Sequence, residues 1–176
     1  MKERCSRCLI IFGGLSGTSK TTLARALARE IGAVHIRIDS IEQAIRESGV
    51  VVVSLDDAGY RVGYAIAADN LALGHMVIAD SVNPLLVTRD AWAAVAHRTH
   101  VPALEVEFIC SDAEEHRRRI ETRTSDIPGL KSPSWPDVVA REYDPWNREH
   151  TVIDTAHRSL EEALKALRAA IGGAGR

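Results

Sequence analysis

The sequence lacks any hydrophobic run long enough to cross a membrane. Its apolar runs fall far short of the roughly 18 residues that a membrane-spanning helix needs. The first of them starts only at Leu9 and breaks at Gly13, which is too short for the apolar region of a signal peptide. We therefore expect no membrane-spanning segment and no membrane partner, and the sequence favours a cytoplasmic protein.

Cysteine is scarce and no sign of charge dominates. The three cysteines are an odd number without disulfide spacing. Cys5 and Cys8 form a C-x-x-C pair, but further ligands at a zinc spacing are missing, so incidental cysteines are favoured. A net charge of -2 argues against a protein that coats nucleic acid, although a local basic patch can still hold phosphates.

The composition is that of one globular domain. The chain has 176 residues, of which 45% are hydrophobic and 26% are charged. This length is sufficient for one ordinary core and too short for two full-sized domains. We therefore expect a single domain over residues 1–176.

Short apolar clusters alternate with longer segments of helical periodicity, which is typical of a parallel sheet covered by helices on both faces. The predicted strands are Cys8–Phe12, Val34–Ile38, Met76–Ala79, Leu104–Cys110 and Thr151–Ile153. The predicted helices are Lys20–Ile31, Ser40–Ser48, Gly59–Leu73, Thr88–His97, Asp112–Arg123 and Ser159–Ile171, with Ser40, Asp112 and Ser159 as N-caps. The sequence therefore predicts an α/β fold.

One stretch, Thr124–Asp144, breaks the alternation. It contains Pro128, Gly129, Pro133 and Pro136 and has neither a helical nor a strand period. Long irregular segments in compact domains are usually functional lids or disordered loops. Trp135 gives this stretch something to pack with, which favours a lid.

The strongest chemical signal follows the first predicted strand: Gly14-Leu15-Ser16-Gly17-Thr18-Ser19-Lys20-Thr21-Thr22. It matches a phosphate-binding loop, except that Ser19 stands where the motif has its second glycine. In such a loop, backbone N–H groups and the positive helix end converge on phosphate oxygens, while Lys20 neutralises charge and Thr21 ligates Mg²⁺. Ser19 keeps its N–H donor but costs about 1–2 kcal/mol if the position needs a positive φ. A turn that merely caps a helix does not require a lysine followed by two threonines.

With three further segments, this loop resembles the small P-loop kinases, a group that includes gluconate, shikimate and adenylylsulfate kinases, chloramphenicol phosphotransferase, polynucleotide 5'-kinases and zeta-toxin kinases. The segments are Asp39 in Ile36–Ser40, Asp80 in Val77–Ser81 and the arginine-rich helix His116–Arg123. The resemblance covers nearly the whole chain, and only the loop is specific alone. It implies a P-loop NTPase three-layer sandwich, a five-stranded parallel sheet in order 2-3-1-4-5, a lid over about 123–144, and a grouping with AAA-type ATPases.

The resemblance also implies roles for single residues. Asp39 would face the acceptor hydroxyl as general base or orienter, the alternative being a helix N-cap. Asp80 would hold Mg²⁺ directly or through water, the alternative again being a cap. Arg119 and Arg123 would close on the nucleotide and stabilise the transferred phosphoryl, although arginine runs are as often a solvated face.

These features predict an enzyme that moves the γ-phosphoryl of ATP, bound with Mg²⁺, to a hydroxyl of a small molecule. Asp39, Lys20 and Arg123 would be its catalytic residues. The segment after Asp39, Ser40-Ile41-Glu42-Gln43, lacks the arginine that polynucleotide kinases carry there. A nucleic-acid acceptor is therefore disfavoured, and an uncharged or sugar-like acceptor is expected.

Two other functions stay open. Ser19 motivates a nucleotide-binding regulatory ATPase or sensor without transfer activity, and a structural interaction module is a more remote alternative. The sequence leaves the oligomeric state open between monomer and homodimer. Asn83 and Arg89 are either acceptor contacts or a turn residue and a solvated helix start. The aromatic residues Tyr60, Tyr64, Trp135 and Trp146 are either walls for an acceptor or an adenine or residues of the core. The run Val50–Val53 is a short extra strand, a lining of the acceptor pocket or a subunit contact.

Overall fold

The computed structural model describes residues 7–49, 54–55 and 57–173, so the run Val50–Val53 lies outside the described residues. The strands are β1 (Leu9–Gly13), β2 (Val34–Arg37), β3 (Val77–Asp80), β4 (Ala103–Ile109) and β5 (Thr151–Asp154). The helices are α1 (Lys20–Ile31), α2 (Ile38–Glu47), α3 (Ala58–Ala72), α4 (Leu86–Arg98), α5 (Ala113–Thr122), α6 (Trp135–Val139) and α7 (Leu160–Gly173). No helix within these ranges combines the length and apolar character that crossing a bilayer requires.

The strands form one all-parallel sheet in the order β2-β3-β1-β4-β5, which confirms the predicted order. In the register, Asp80 lies between Phe12 of β1 and Arg37 of β2. The carboxyl ends of β1, β2 and β3 therefore meet at one level, and parallel sheets build their ligand sites at this edge.

Two apolar clusters, one on each face of the sheet, form the core. One contains Ile10, Phe12 and Phe108 with residues of α1 and α7. The other contains Leu9 and Ile11 with residues of α2, α3 and α4. Since both faces are covered, β1 and β3 are buried at every position, as the continuous apolar runs predicted.

The connection between β2 and α2 differs from the prediction. The helix begins at Ile38, directly after Arg37, so the predicted N-cap at Ser40 is wrong. Ile38 is 2% exposed and packs in the apolar cluster that contains Leu9 and Ile11. The chain therefore passes from β2 to α2 without an intervening loop. In contrast, Asp112 accepts hydrogen bonds from the N–H groups of Glu114 and Glu115, which confirms its predicted cap.

The stretch between α5 and β5 is irregular as predicted, apart from the short helix α6. Ser134 and Asp137 form a capping box at its start, with a proline in the first turn. This Ser-x-x-acid pattern with an early proline is a known helix start, so the sequence held the signal for α6.

Arg89 fixes the end of this stretch to the sheet. Its side chain is fully buried and donates hydrogen bonds to the backbone carbonyl oxygens of Asn83, Pro84, Asp144 and Pro145. The guanidinium also lies 4.2 Å from the centre of the Trp146 ring. Arg89 is therefore neither an acceptor contact nor a solvated helix start, and both interpretations of it were wrong.

Residues 143–150, which include the two carbonyl groups bound by Arg89, place polar side chains against β4. We call them the return segment. Tyr143 donates to Glu107 at 3.0 Å, and the His150 ring lies 3.2 Å from the same carboxylate. Trp146 stacks on His150 at 4.3 Å. Trp146 is thus a packing residue that holds the return segment in place.

Candidate active site

A cleft of about 470 Å³ opens at the carboxyl edge of the sheet, between the phosphate loop, the ends of β2 and β3, and the start of the lid. Most of the predicted site residues line it: Ser16, Gly17, Ser19, Lys20, Thr21, Thr22, Asp39, Asp80, Arg119 and Arg123. Gly14, Leu15 and Thr18, which were also predicted to bind the nucleotide, are not among its lining residues. Their contacts shape the loop instead.

The loop follows its neighbours so closely that two positions require glycine. Gly14 has a φ of 124°, and a Cβ there would lie 2.1 Å from the carbonyl oxygen of Phe108. Gly17 has a φ of 85°, and its Cβ would lie 2.7 Å from Ile120. The backbone of the loop therefore lies directly against β4 and α5, where no side chain fits at these two positions.

Helix α5 fastens the loop by a side chain that the sequence argument missed. His116 is 6% exposed, and its Nε2 donates to the carbonyl oxygen of Ser16 at 2.6 Å. Thr18 adds a hydrogen bond inside the loop, because its hydroxyl donates to the carbonyl oxygen of Leu15 at 2.9 Å. His116 begins the arginine-rich segment His116–Arg123, and only its contact with the loop distinguishes it from its neighbours in that segment.

Ser19 adopts the backbone conformation that glycine has in the motif. Its φ is 66° and its ψ is 11°, in the left-handed region, and its side chain makes no capping hydrogen bond to α1. The strain that the sequence argument made conditional on a positive φ is therefore present, at about 1–2 kcal/mol.

Replacing Ser19 by glycine is expected to raise the free energy of unfolding by about 1 kcal/mol. Relief of the left-handed conformation exceeds the conformational entropy of about 0.5–1 kcal/mol that glycine loses on folding. Urea unfolding followed by circular dichroism measures the change. Ser19→Ala is the matched control, since it removes the hydroxyl and keeps the strain; an equal gain from alanine would show that backbone strain is not the cause.

Lys20 is buried beneath the loop. Its Nζ donates to the carbonyl oxygen of Leu15 at 2.8 Å, and among the described residues it has no ion-pair partner within 4.0 Å. Burial lowers the pKa of Lys20 to about 8, although the charges of Asp80 and Asp39 work in the opposite direction. A phosphate group in the cleft would supply the missing anion.

Asp80 ends β3 with a side chain that is only 2% exposed, and its Oδ2 lies 3.0 Å from the Nε2 of His35. Its carboxylate lines the same cleft as the hydroxyl of Thr21. A carboxylate and a hydroxyl are hard oxygen donors of the kind that Mg²⁺ prefers, so this donor set fits the ion. His35, which was not predicted, holds the carboxylate.

Asp39 lies in the first turn of α2, at the mouth of the cleft. Its side chain is 46% exposed, and its Oδ2 is 4.0 Å from the Nε of Arg37. A half-exposed carboxylate in this position can reach a hydroxyl group bound in the cleft. The capping role that the sequence left open for Asp39 does not apply, because the helix starts before it.

The two arginines of α5 differ in their contacts. Arg119 donates to the hydroxyl and the carbonyl oxygen of Thr155, and also to Glu115. Its guanidinium therefore ties α5 to the segment after β5. Arg123 follows the last residue of α5 in extended conformation, and within residues 7–49, 54–55 and 57–173 it has no ion-pair partner. Of the two, Arg123 is the one whose charge remains available to a ligand.

A parallel sheet in this order, with a phosphate loop between its first strand and the following helix, defines the P-loop NTPase fold as it occurs in small P-loop kinases. Within that fold, the chain belongs to the family described as an AAA domain, whose match covers residues 9–131. The predicted fold and the predicted grouping with AAA-type ATPases are thus confirmed.

Solved structures of two kinases share this fold. A gluconokinase from Sinorhizobium meliloti superposes with a TM-score of 0.66 and 19% identity over 97% of this chain and 94% of its own. An APS kinase from Mycobacterium tuberculosis, in complex with AMPPNP and APS, gives a TM-score of 0.69 and 17% identity over 94% of this chain and 98% of its own.

A relative by sequence is an uncharacterized protein of Mycobacterium tuberculosis strain H37Rv. It is 31% identical over 179 aligned residues, which cover 93% of this chain and 35% of the relative. The chain therefore spans about a third of the length of the curated relative that it matches.

Proposed function

We propose that this protein is an ATP-dependent phosphotransferase that moves the γ-phosphoryl of ATP to a hydroxyl group of a small molecule. The observation that carries the proposal is that Asp39 opens onto the same cleft as the phosphate loop and Lys20. A site that only binds nucleotide needs the loop and the lysine, but it does not need a further half-exposed carboxylate in the same cleft.

In this proposal, the residues of the loop hold the donor. N–H groups of residues 16–21 and the ammonium of Lys20 bind the phosphates, and Thr21 and Asp80 hold Mg²⁺. The bound ion neutralises charge on the β- and γ-phosphates. Arg123 supplies a guanidinium to the oxygens of the transferred group.

Asp39 acts on the acceptor. As the acceptor oxygen forms its bond to the γ-phosphorus, the bond between that phosphorus and the β,γ-bridging oxygen breaks, and ADP leaves with the bond's electrons. The acceptor proton passes to a carboxylate oxygen of Asp39 and from there to solvent, so the residue returns to its starting charge.

A nucleotide-binding regulatory ATPase without transfer is the second candidate, and Ser19 is the observation that favours it. The strained residue stands at the point of the loop that lies directly before Lys20. If this strain is relieved by nucleotide binding or by hydrolysis, the loop itself reports the nucleotide state.

Titration with Mg·ATP, followed by calorimetry and by thermal shift, tests nucleotide binding. We expect binding by the parent protein and a loss of affinity of about 10- to 100-fold in Lys20→Ala, which is the scale of a hydrogen bond to a charged group. Lys165→Ala is the matched control, since Lys165 is an exposed lysine of α7. If the parent protein gives neither heat nor a shift, both candidate functions are wrong.

Transfer then separates the two candidates. With radiolabelled γ-phosphate, label that appears in a hydroxyl compound and requires Lys20 supports the phosphotransferase. Release of inorganic phosphate at the same rate with and without every acceptor favours the regulatory ATPase.

A further inference from the structure

The cleft contains a group of charges that the proposed mechanism does not use. Arg37, the last residue of β2, is 6% exposed, and its Nη1 donates to both carboxylate oxygens of Asp126 at 3.0 Å. Arg25 of α1 pairs with the same carboxylate from the other side. We call these three residues the Arg37–Asp126 cluster, and all three line the cleft.

The cluster holds more positive charge than it neutralises. Two guanidinium groups share one lid carboxylate, and the buried Nε of Arg37 has no hydrogen-bond partner among the described residues. An unpaired buried donor costs about 1–3 kcal/mol, and more when it is charged. A carboxylate oxygen of Asp39 lies 4.0 Å from this Nε, so the unused donor is close to the residue proposed to act on the acceptor.

Asp126 is held as an anion. Burial works to raise the pKa of Asp126, but the hydrogen bonds from Arg25 and Arg37 outweigh it and lower the pKa to about 2. Asp126 nevertheless belongs to the irregular lid and its side chain is 43% exposed, whereas Arg37 is fixed on a strand of the sheet. Motion of this irregular segment would carry the carboxylate of Asp126 away, whereas Arg37 would stay in place on β2.

We propose that Arg37 and Arg25 form a subsite for an anionic group of the acceptor, and that Asp126 fills this subsite when no acceptor is bound. This proposal rests on the proposed function and names its substrate class: a small alcohol that also carries a carboxylate or a phosphate. Its hydroxyl lies at Asp39 and its anionic group at Arg37, two positions that are neighbours in the cleft.

The expectation of an uncharged acceptor depended on the segment after Asp39, which has no arginine. Arg37 precedes Asp39 by two residues, at the point where β2 ends and α2 begins. A guanidinium binds a carboxylate or a phosphate through its N–H donors, and the Nη1 of Arg37 already donates to both carboxylate oxygens of Asp126. The acceptor proposed here therefore replaces a bond that the free protein makes with itself.

The first test measures anion binding without any transfer. Protein saturated with Mg·AMPPNP, which occupies the phosphate loop, is titrated with inorganic phosphate and separately with glycerate, a hydroxy acid. We expect Asp126→Asn to bind either or both anions at least about tenfold more tightly than the parent, because the internal competitor is neutral; this corresponds to about 1.4 kcal/mol. We expect Arg37→Gln to lose the binding. The anion that gains shows whether the subsite suits a phosphate or a carboxylate.

Two further variants control for nonspecific effects of charge and for loss of folding. Arg117→Gln, which changes an exposed arginine of α5 that pairs with Glu121, should bind the anions as the parent does. If Arg37→Gln does not melt cooperatively, Arg25→Gln takes its place, since the Arg25 side chain is 42% exposed. The proposal is overturned if Asp126→Asn gains no affinity for either anion, or if the folded arginine variant binds as well as the parent.

The second test distinguishes failure of the subsite from failure of the proposed function. Label from ATP is followed into glycerate, into glycerol 3-phosphate and into uncharged glycerol. Transfer to an anionic alcohol that depends on Arg37 supports both proposals. Transfer only to glycerol overturns the subsite and leaves the phosphotransferase intact. Anion binding that depends on Arg37, without transfer to any alcohol, supports the subsite and counts against the phosphotransferase.

Discussion

Replacing Asp39 by asparagine is expected to lower the rate of phosphoryl transfer by about 10²- to 10⁴-fold, which is the contribution of a positioned general base. Asparagine keeps the size and the hydrogen-bonding reach of the side chain but cannot accept the acceptor's proton. Affinity for Mg·ATP should stay within about twofold, because Asp39 lies at the mouth of the cleft and not in the phosphate loop.

The measurement is the turnover of labelled ATP with an acceptor that the parent protein uses, together with a nucleotide titration of each variant. Asp57→Asn is the matched control, since Asp57 is exposed and pairs, within the part of the chain that the structure describes, with Arg61 of α3. Unchanged turnover in Asp39→Asn would remove this residue from the mechanism. A parallel loss of nucleotide affinity would instead assign it to donor binding.

Replacing Arg89 by alanine is expected to lower the free energy of unfolding by about 3–5 kcal/mol. The change removes a donor from four backbone carbonyl oxygens, of which only that of Pro84 also accepts from another described N–H group, that of Asp144. It also opens a cavity where the guanidinium lies against Trp146. For a chain of this size, the midpoint of thermal unfolding should fall by about 10 °C.

Urea unfolding and thermal melting measure this loss. Arg98→Ala is the control on the same helix, because Arg98 is exposed and its one side-chain hydrogen bond to a described residue is long, at 3.5 Å. This change should alter the free energy of unfolding by no more than about 0.5 kcal/mol. Arg89→Lys should recover little, since one ammonium cannot serve carbonyl oxygens that surround a planar fork. A loss below about 1 kcal/mol for Arg89→Ala would show that the carbonyl groups find other donors.

The sequence predicted the sheet well because its strands carry a strong local signal. β1 and the first three residues of β3 are uninterrupted apolar runs, and the phosphate loop marks the join of β1 and α1 without help from any distant residue. The start of α2 was misplaced because Ser40 is a better cap by type, whereas burial of Ile38 decided the boundary. At this boundary, tertiary packing outweighed the N-cap propensity of Ser40.

The unpredicted parts of the site all depend on contacts between distant segments. Arg37 and Asp126 are 89 positions apart, and His35 and Asp80 are 45 apart. Nothing local marks such a pair, because a charged residue in a strand or a lid has many available partners. Arg89 is the clearest case: by residue type an arginine near a helix start is expected in solvent, and only the folded chain shows that it is fully buried.

The anchor at Arg89 sets the limits within which the lid can vary. The lid begins at Arg123, directly after α5, and its far end is bonded to Arg89 through the carbonyl oxygens of Asp144 and Pro145. Both ends are therefore held by helices that flank the sheet, α5 and α4, and the chain between them contributes no strand to the sheet. Insertions and deletions between these two points would therefore leave the sheet and the phosphate loop in place while they change the residues that border the cleft after Arg123.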